Sequence, residues 1–234
     1  MIPIRRGARG FSRGSLAKEM RKTEKGKKYG GEQREERIRQ IVAAAAALYD
    51  AQGYDAVTFS KIGREVDFSR INLYNYFRCK EDIFLLILQE DIGRMVEDAR
   101  VSFTSPAESL DVFAAAWGAF LLRHQRMLAL FSIVNTIILR GASDEAHEAF
   151  RAGIYRNFRQ LSESVRIALP WMDETLSTAF VDFENSYAMT LYPASIEYKE
   201  AQHITIFSHA GYGTRRFLPQ YVAYLKVILR GLQA

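Results

Sequence analysis

The chain has 234 residues, 48% of them hydrophobic and 12% aromatic, a balance that can bury a sizeable core and excludes a wholly disordered polypeptide. Its single cysteine, Cys79, excludes an intrachain disulfide and a Cys-rich metal centre and is compatible with a reducing cytoplasm. The net charge is +5, yet residues 1–30 alone hold ten Lys or Arg against Glu19 and Glu24, so the whole excess sits on the leading arm.

That arm, residues 1–32, is rich in Gly and basic residues, lacks sustained periodicity and reaches Gly30-Gly31. It is expected to be flexible in isolation. Two readings stay open. It is a basic tail that adds phosphate contacts or enters a minor groove, or it is a solubilising tail or a start codon assigned too early.

Residues 33–80 carry the most specific pattern. Ile38, Ile41, Val42, Ala45, Leu48 and Tyr49 recur at helical spacing, which predicts an amphipathic helix over about Gln33–Gln52. Gly53 follows as its C-cap. Thr58 can cap a second helix bearing Phe59, Ile62 and Val66. Asp67 and Phe68 sit at a tight turn, and Ser69 can cap a third helix. Two helices joined in this way form a helix-turn-helix, whose second helix can enter a DNA major groove. Here that helix carries Arg70, Asn72, Tyr74, Asn75 and Tyr76, side chains suited to phosphates and base edges. Leu73 and Phe77 are expected in the core.

The run IRQIVAAAAALYDAQGYDAVTFSKIGREVDFSRINLYNYFRCKEDIF, Ile38 to Phe84, resembles the DNA-binding domain of the TetR family of bacterial transcriptional regulators. The resemblance implies an all-α fold. A three-helix DNA-binding domain with a helix-turn-helix comes first, and a helical ligand-binding and dimerisation domain, residues 81–234, follows. It implies DNA contacts at Thr58, Ser69, Arg70, Asn72, Tyr74, Asn75, Tyr76 and Lys80, with Thr58 and Lys80 on phosphates. It implies a homodimer whose last two helices, near Asp173–Tyr192 and Leu218–Leu232, pair with their counterparts. Two departures bear on the operator. The turn reads Val66-Asp67-Phe68-Ser69 where the family commonly has Ala-Gly-Val-Ser. Ile71 stands where a glycine is frequent, and it could pack on a thymine methyl or widen the gap to the groove.

Beyond Lys80 only helices are expected. Ile83, Phe84, Ile87, Leu88, Ile92 and Met95 mark a long one, and Ser105-Pro106 breaks the chain. Leu110, Phe113, Ala114, Trp117 and Phe120 mark the next. Met127 to Leu139 is apolar nearly all round, like a buried central helix. The runs around 113–122 and 127–139 are too short to span a bilayer, so no membrane partner is expected. Further helices run from Ser143 to Pro170, from about Leu176 to Pro193 with Phe180, Phe183 and Tyr187, and at the end with Tyr221, Val222, Leu225, Ile228 and Leu232. Gly211 and Gly213 lie in a polar stretch between the last two.

Trp117, Phe120, Phe131, Tyr155, Phe183 and Tyr187 could line an apolar effector cavity, though such residues more often fill a core. Enzymatic signatures are weak. His147-Glu148 lacks the second histidine of a zinc-protease motif, and Gly211-Tyr212-Gly213 lacks the strand and third glycine of a dinucleotide site. No cofactor or metal is expected. The sequence thus points to a cytoplasmic, non-enzymatic regulator. In the leading reading it is a homodimeric, ligand-responsive repressor that binds double-stranded DNA at a palindrome. The alternatives are an effector-independent architectural DNA-binding protein and a regulator controlled by a protein partner.

Overall fold

The computed structural model describes residues 13–195, 197–198 and 216–234. Among them the regular elements are helices, with no strand. The chain divides into two units, 1–41 and 42–234.

Helix α1 spans Arg13–Gln52, so it begins twenty residues before Gln33. The stretch 17–28 lacks an apolar period but is dense in Lys, Glu, Arg, Met and Ala, which favour helix by intrinsic propensity. This differs from the expectation of an arm without regular structure; residues 1–12 of that arm lie outside the described residues. The expected apolar face is present in the second half of α1, where Ile41, Val42, Ala45, Leu48 and Tyr49 are buried. Gly53 ends the helix with φ 79° and donates its N–H to Tyr49 O at 2.8 Å.

Two short helices follow, α2 (Phe59–Glu65) and α3 (Arg70–Leu73). Helix α4 (Lys80–Ser102) then runs through the second unit, burying Ile83, Phe84, Ile87, Leu88, Ile92 and Met95 as their spacing predicts. Around it lie α5 (Leu110–Leu122), α6 (Gln125–Ile133), a π-helical turn Val134–Ile138, α7 (Leu139–Gly141), α8 (Asp144–Ala168), α9 (Glu174–Leu191) and α10 (Phe217–Gln233). The polar stretch with Gly211 and Gly213 lies outside the described residues.

Two apolar faces differ from the sequence pattern. Helix α9 buries Ser177, Phe180, Val181, Glu184 and Ala188, which turns Phe183 outward. In the central helix Met127–Phe131 are buried, but Asn135, Thr136 and Ile137 are exposed. The backbone there widens to a π turn. Ser132 and Thr136 hydroxyls bond back to the carbonyls of Ala129 (2.7 Å) and Ile133 (3.4 Å), which compete with the regular ladder.

The core of the second unit is aromatic. Trp117, 0% exposed, packs against Phe103, Phe113, Phe120 and Phe180 with ring centroids 4.9–5.7 Å apart. Each such ring contributes about 1.5–3 kcal/mol by burial alone.

Candidate DNA-binding surface

The helix-turn-helix is built by local bonds that its side chains supply. Thr58 Oγ1 accepts from Lys61 N at 3.3 Å and Ser69 Oγ accepts from Asn72 N at 3.2 Å, so both expected caps are formed. Between them Asp67 takes φ 54°, the left-handed conformation that its asparagine-like side chain tolerates better than most. The turn closes when Phe68 N donates to Gly63 O at 2.7 Å. A Cβ at position 63 would lie 2.5 Å from Phe68 O, so only glycine fits there.

Helix α3 is a single turn, and a second turn is continued by Tyr76 N to Leu73 O (2.9 Å) and Phe77 N to Leu73 O (3.0 Å). Leu73 and Phe77 are buried, as expected, and hold this element on α2. The opposite face is open. Ile71 is 78% exposed and Tyr74 50%, while Ser69, Asn72 and Asn75 are also exposed. The Arg70 side chain lies outside the described residues. Tyr74 rests against the Phe59 ring at 4.9 Å, and Tyr76 stacks on Phe68 at 6.1 Å, so both phenols are braced from behind.

Thr58, Tyr74 and Lys80 meet around one open groove of about 490 Å³, together with Ser60, Arg78 and Cys79. Arg78 and Ser60 belong to this groove but escaped the sequence reading. The only sequence signal was a second cation two residues before Lys80. Lys80 Nζ sits 4.0 Å over the Tyr54 ring and donates to Tyr54 O at 3.2 Å. One of three ammonium donors is thereby used, and two remain for another acceptor. Tyr54 in turn donates its hydroxyl to Glu81 at 2.7 Å. Burial first and then this carboxylate push its phenol well above the usual range. A groove with a lysine, an arginine and three hydroxyls at the foot of an exposed helix suits a sugar–phosphate strand.

The start of α4 is fastened to the corner between α7 and α8. Asp82 accepts from Arg78 N (3.2 Å) and Ser143 N (2.8 Å), Cys79 Sγ donates to Gly141 O (3.2 Å), and Arg78 pairs with Glu145 (2.9 Å). Burial opposes ionisation of Asp82, but the Ser143 and Arg78 N–H groups outweigh it and hold the carboxyl below its ordinary value. Burial raises the Cys79 thiol to about 11, so it is a thiol rather than a thiolate at neutral pH. A second tie joins α6 to the end of α1. Arg126 bonds Asp91 of α4 at 2.7 and 2.8 Å and Asp50 of α1 at 2.6 Å.

The six residues expected around an effector occupy different environments. Trp117 and Phe120 are packed solid in the aromatic core. Phe131 is buried against Phe158 at 6.0 Å. Tyr155 is 71% exposed on α8. Phe183 is exposed on α9, and Tyr187 stacks on Tyr224 of α10 at 3.9 Å. Another open cavity, of about 750 Å³, is lined by Tyr49, Asp50, Gln52, Arg126, Tyr192 and Glu197 among others, and by none of those six. One buried polar group was not foreseen. Glu184 is fully buried, bonded by the Tyr221 hydroxyl, and desolvation raises its carboxyl to about 8.

Known proteins place this geometry. Residues 41–87 match the family described as bacterial regulatory proteins, tetR family, and residues 89–234 match the Tetracyclin repressor-like, C-terminal domain. The chain belongs to the TetR family. It is 29% identical to the HTH-type transcriptional regulator HbdR of Aromatoleum sp. (strain CIB) over 168 residues, 66% of this chain and 70% of that one. The fold of this TetR-family chain is similar to that of a possible TetR family regulator from Streptomyces coelicolor, with TM-score 0.54 and 14% identity over 84% of this chain and 98% of that one. It is also similar to the TetR family repressor AlkX from Dietzia, with TM-score 0.51 and 13% identity over 84% and 95%. No helix among the described residues is long and apolar enough to cross a membrane.

Proposed function

We propose that this helix-turn-helix regulator binds a palindromic operator as a homodimer and acts as a ligand-responsive repressor in the cytoplasm, without enzymatic activity. The observation that carries the reading is the open face of α3, where Asn72, Tyr74 and Asn75 stand exposed beside Ile71 while Leu73 and Phe77 are locked into the core. In this reading Asn72 and Asn75 reach base edges. Thr58, Ser69, Arg70, Tyr74, Tyr76 and Lys80 hold the backbone, with Arg78 added from the groove. Residues 33–80 act as the DNA-binding part and 81–234 as the effector and dimerisation part, with the basic residues of 1–32 adding phosphate attraction.

Dimerisation through α9 and α10 is supported by exposed Phe183 and Val227 on those helices. A two-fold dimer is expected on physical grounds, since one short recognition helix spans few base pairs and a two-fold pair reads half-sites about one turn apart. Effector control is a shift between two dimer arrangements, limited by the ligand's differential affinity for them. The bonds from the α7–α8 corner to Arg78, Cys79 and Asp82 give such a shift a physical route to the recognition helix.

Selection of bound duplexes from a random pool at near-physiological salt tests this reading. A palindromic motif that Asn72→Ala weakens supports it. Tight binding without a motif would overturn it in favour of architectural binding through the basic arm.

A further inference from the structure

We infer that Ile71 is a specificity-determining residue that reads the C5-methyl group of a pyrimidine, thymine foremost, in the major groove. The inference rests on the operator-binding reading above and deepens it.

Ile71 is the second residue of α3, one step past the Ser69 cap and the Arg70 that opens the helix. It is 78% exposed, the highest value among the large apolar residues whose exposure is described. Among the described residues, Leu73 and Phe77 already anchor the helix from its other face, so packing does not call for an aliphatic group there. The placement is nonetheless firm. The Ser69 cap, the Phe68 N to Gly63 O bond and the close approach at Gly63 fix where α3 begins. The β-branch of isoleucine also restricts its own rotamers, so its methyls project in few directions.

The major-groove edges of the four base pairs offer polar donors and acceptors and one apolar feature, the thymine methyl. An isoleucine carried into that groove meets either a methyl or polar edges that it would strip of water. Asn75 lies four residues on, in the turn that follows the helix, and is also exposed. Asparagine pairs with adenine N6 and N7. Together the two residues suit an A·T-containing half-site, with Ile71 on the methyl. Cytosine methylated at C5 presents the same methyl and is the second source of this chemistry.

The test starts from the selected operator. Each symmetric pair of thymines is replaced in turn by uracil, which removes only the methyl. Affinity is measured at fixed salt for the full chain, Ile71→Val and Ile71→Ala. Burial of one methyl is equivalent to about a fourfold change in affinity, and the two contacts of a dimer to about fifteenfold. The expected result is one uracil position that weakens the wild-type protein by about fifteenfold and Ile71→Ala by less than twofold. Ile71→Val should retain most of the effect.

The thermal midpoint of Ile71→Ala should match wild type, since the side chain is exposed, and this keeps a null result interpretable. A C·G pair at the sensitive position, with and without a C5-methyl, separates the sources. Recovery with 5-methylcytosine assigns recognition to the methyl alone, and no recovery assigns it to thymine. A palindrome bound with no uracil sensitivity, or with equal sensitivity in Ile71→Ala, would overturn the inference and leave the operator reading intact. Failure to select any motif overturns both.

Discussion

Gly63→Ala is a direct probe of the helix-turn-helix. The new Cβ would stand 2.5 Å from Phe68 O, 3.5 Å from Phe68 C and 3.6 Å from Leu73 Cδ1. The near atom is backbone and cannot rotate away, so the turn must retreat by about half an ångström to reach even the shortest separation that real Cβ atoms show. That retreat weakens the Phe68 N to Gly63 O bond, about 1 kcal/mol, and overpacking adds about 1–3 kcal/mol. Alanine in a helix recovers about 1 kcal/mol. The net loss is then about 1–3 kcal/mol, centred on the element that sets α3. Urea unfolding should show it, and operator affinity should fall further than global stability because α3 is displaced. Gly93→Ala in α4 is the control. Beyond its own helix backbone no atom lies within 4 Å of its added Cβ, and it should be neutral or stabilising by up to about 1 kcal/mol. Should Gly63→Ala be as stable as wild type with unchanged operator binding, the close approach does not fix the turn.

Other expectations follow from buried polar groups. Arg126→Met should cost about 1–3 kcal/mol in urea unfolding, because Asp91 is nearly buried and keeps only Arg94, at 2.6 Å, as a partner; a loss below about 0.5 kcal/mol, the size of a surface change, would make the tie incidental. Glu184 introduces an alkaline sensitivity. Its carboxyl titrates at about 8 when folded against an ordinary 4.5, so rising pH ionises the unfolded chain first and stability falls across that window. The fall from pH 5 to pH 8 should be on the order of 3 kcal/mol, and Glu184→Gln should abolish it; parallel pH profiles for the two proteins would contradict the assignment. Asp82 acts in the opposite direction. Its lowered carboxyl stabilises the fold above the ordinary value of 3.8 and loses that contribution as pH falls through the folded value. Asp82→Ala leaves two backbone N–H groups without an acceptor and should cost about 2–4 kcal/mol by thermal or urea unfolding at pH 7.

What the sequence made legible is what neighbouring residues decide among themselves. Thr58 and Ser69 cap because a hydroxyl and an orphan N–H three residues on are local partners, and Gly53 ends α1 for an equally local reason. Leu73 and Phe77 were readable as core from their spacing. The groove was less so. Arg78 joins Thr58 and Tyr74 only because the turn after α3 brings it round, and Lys80 is drawn onto Tyr54, 26 residues away. The effector residues show a different gap. Spacing marks a ring as facing inward but does not tell whether it borders a void or fills one; Trp117 and Phe120 fill one. On α9 the aromatic stripe suggested Phe183 inside, yet close packing of Val181 and Ala188 with the Glu184–Tyr221 bond turns the helix the other way. Length along α1 was missed because charged helix formers leave no apolar period to read.

Cys79 makes the junction observable without engineering. It is the chain's sole thiol, half-buried, bonded to Gly141 O and largely protonated at neutral pH, so alkylating reagents should reach it slowly. If the α7–α8 corner lifts from the start of α4, the sulfur loses its acceptor and its cover together, and the labelling rate should rise. The native protein thus carries a built-in clock for that separation. Small molecules could be screened by how they change its rate, with neither operator nor cognate gene in hand.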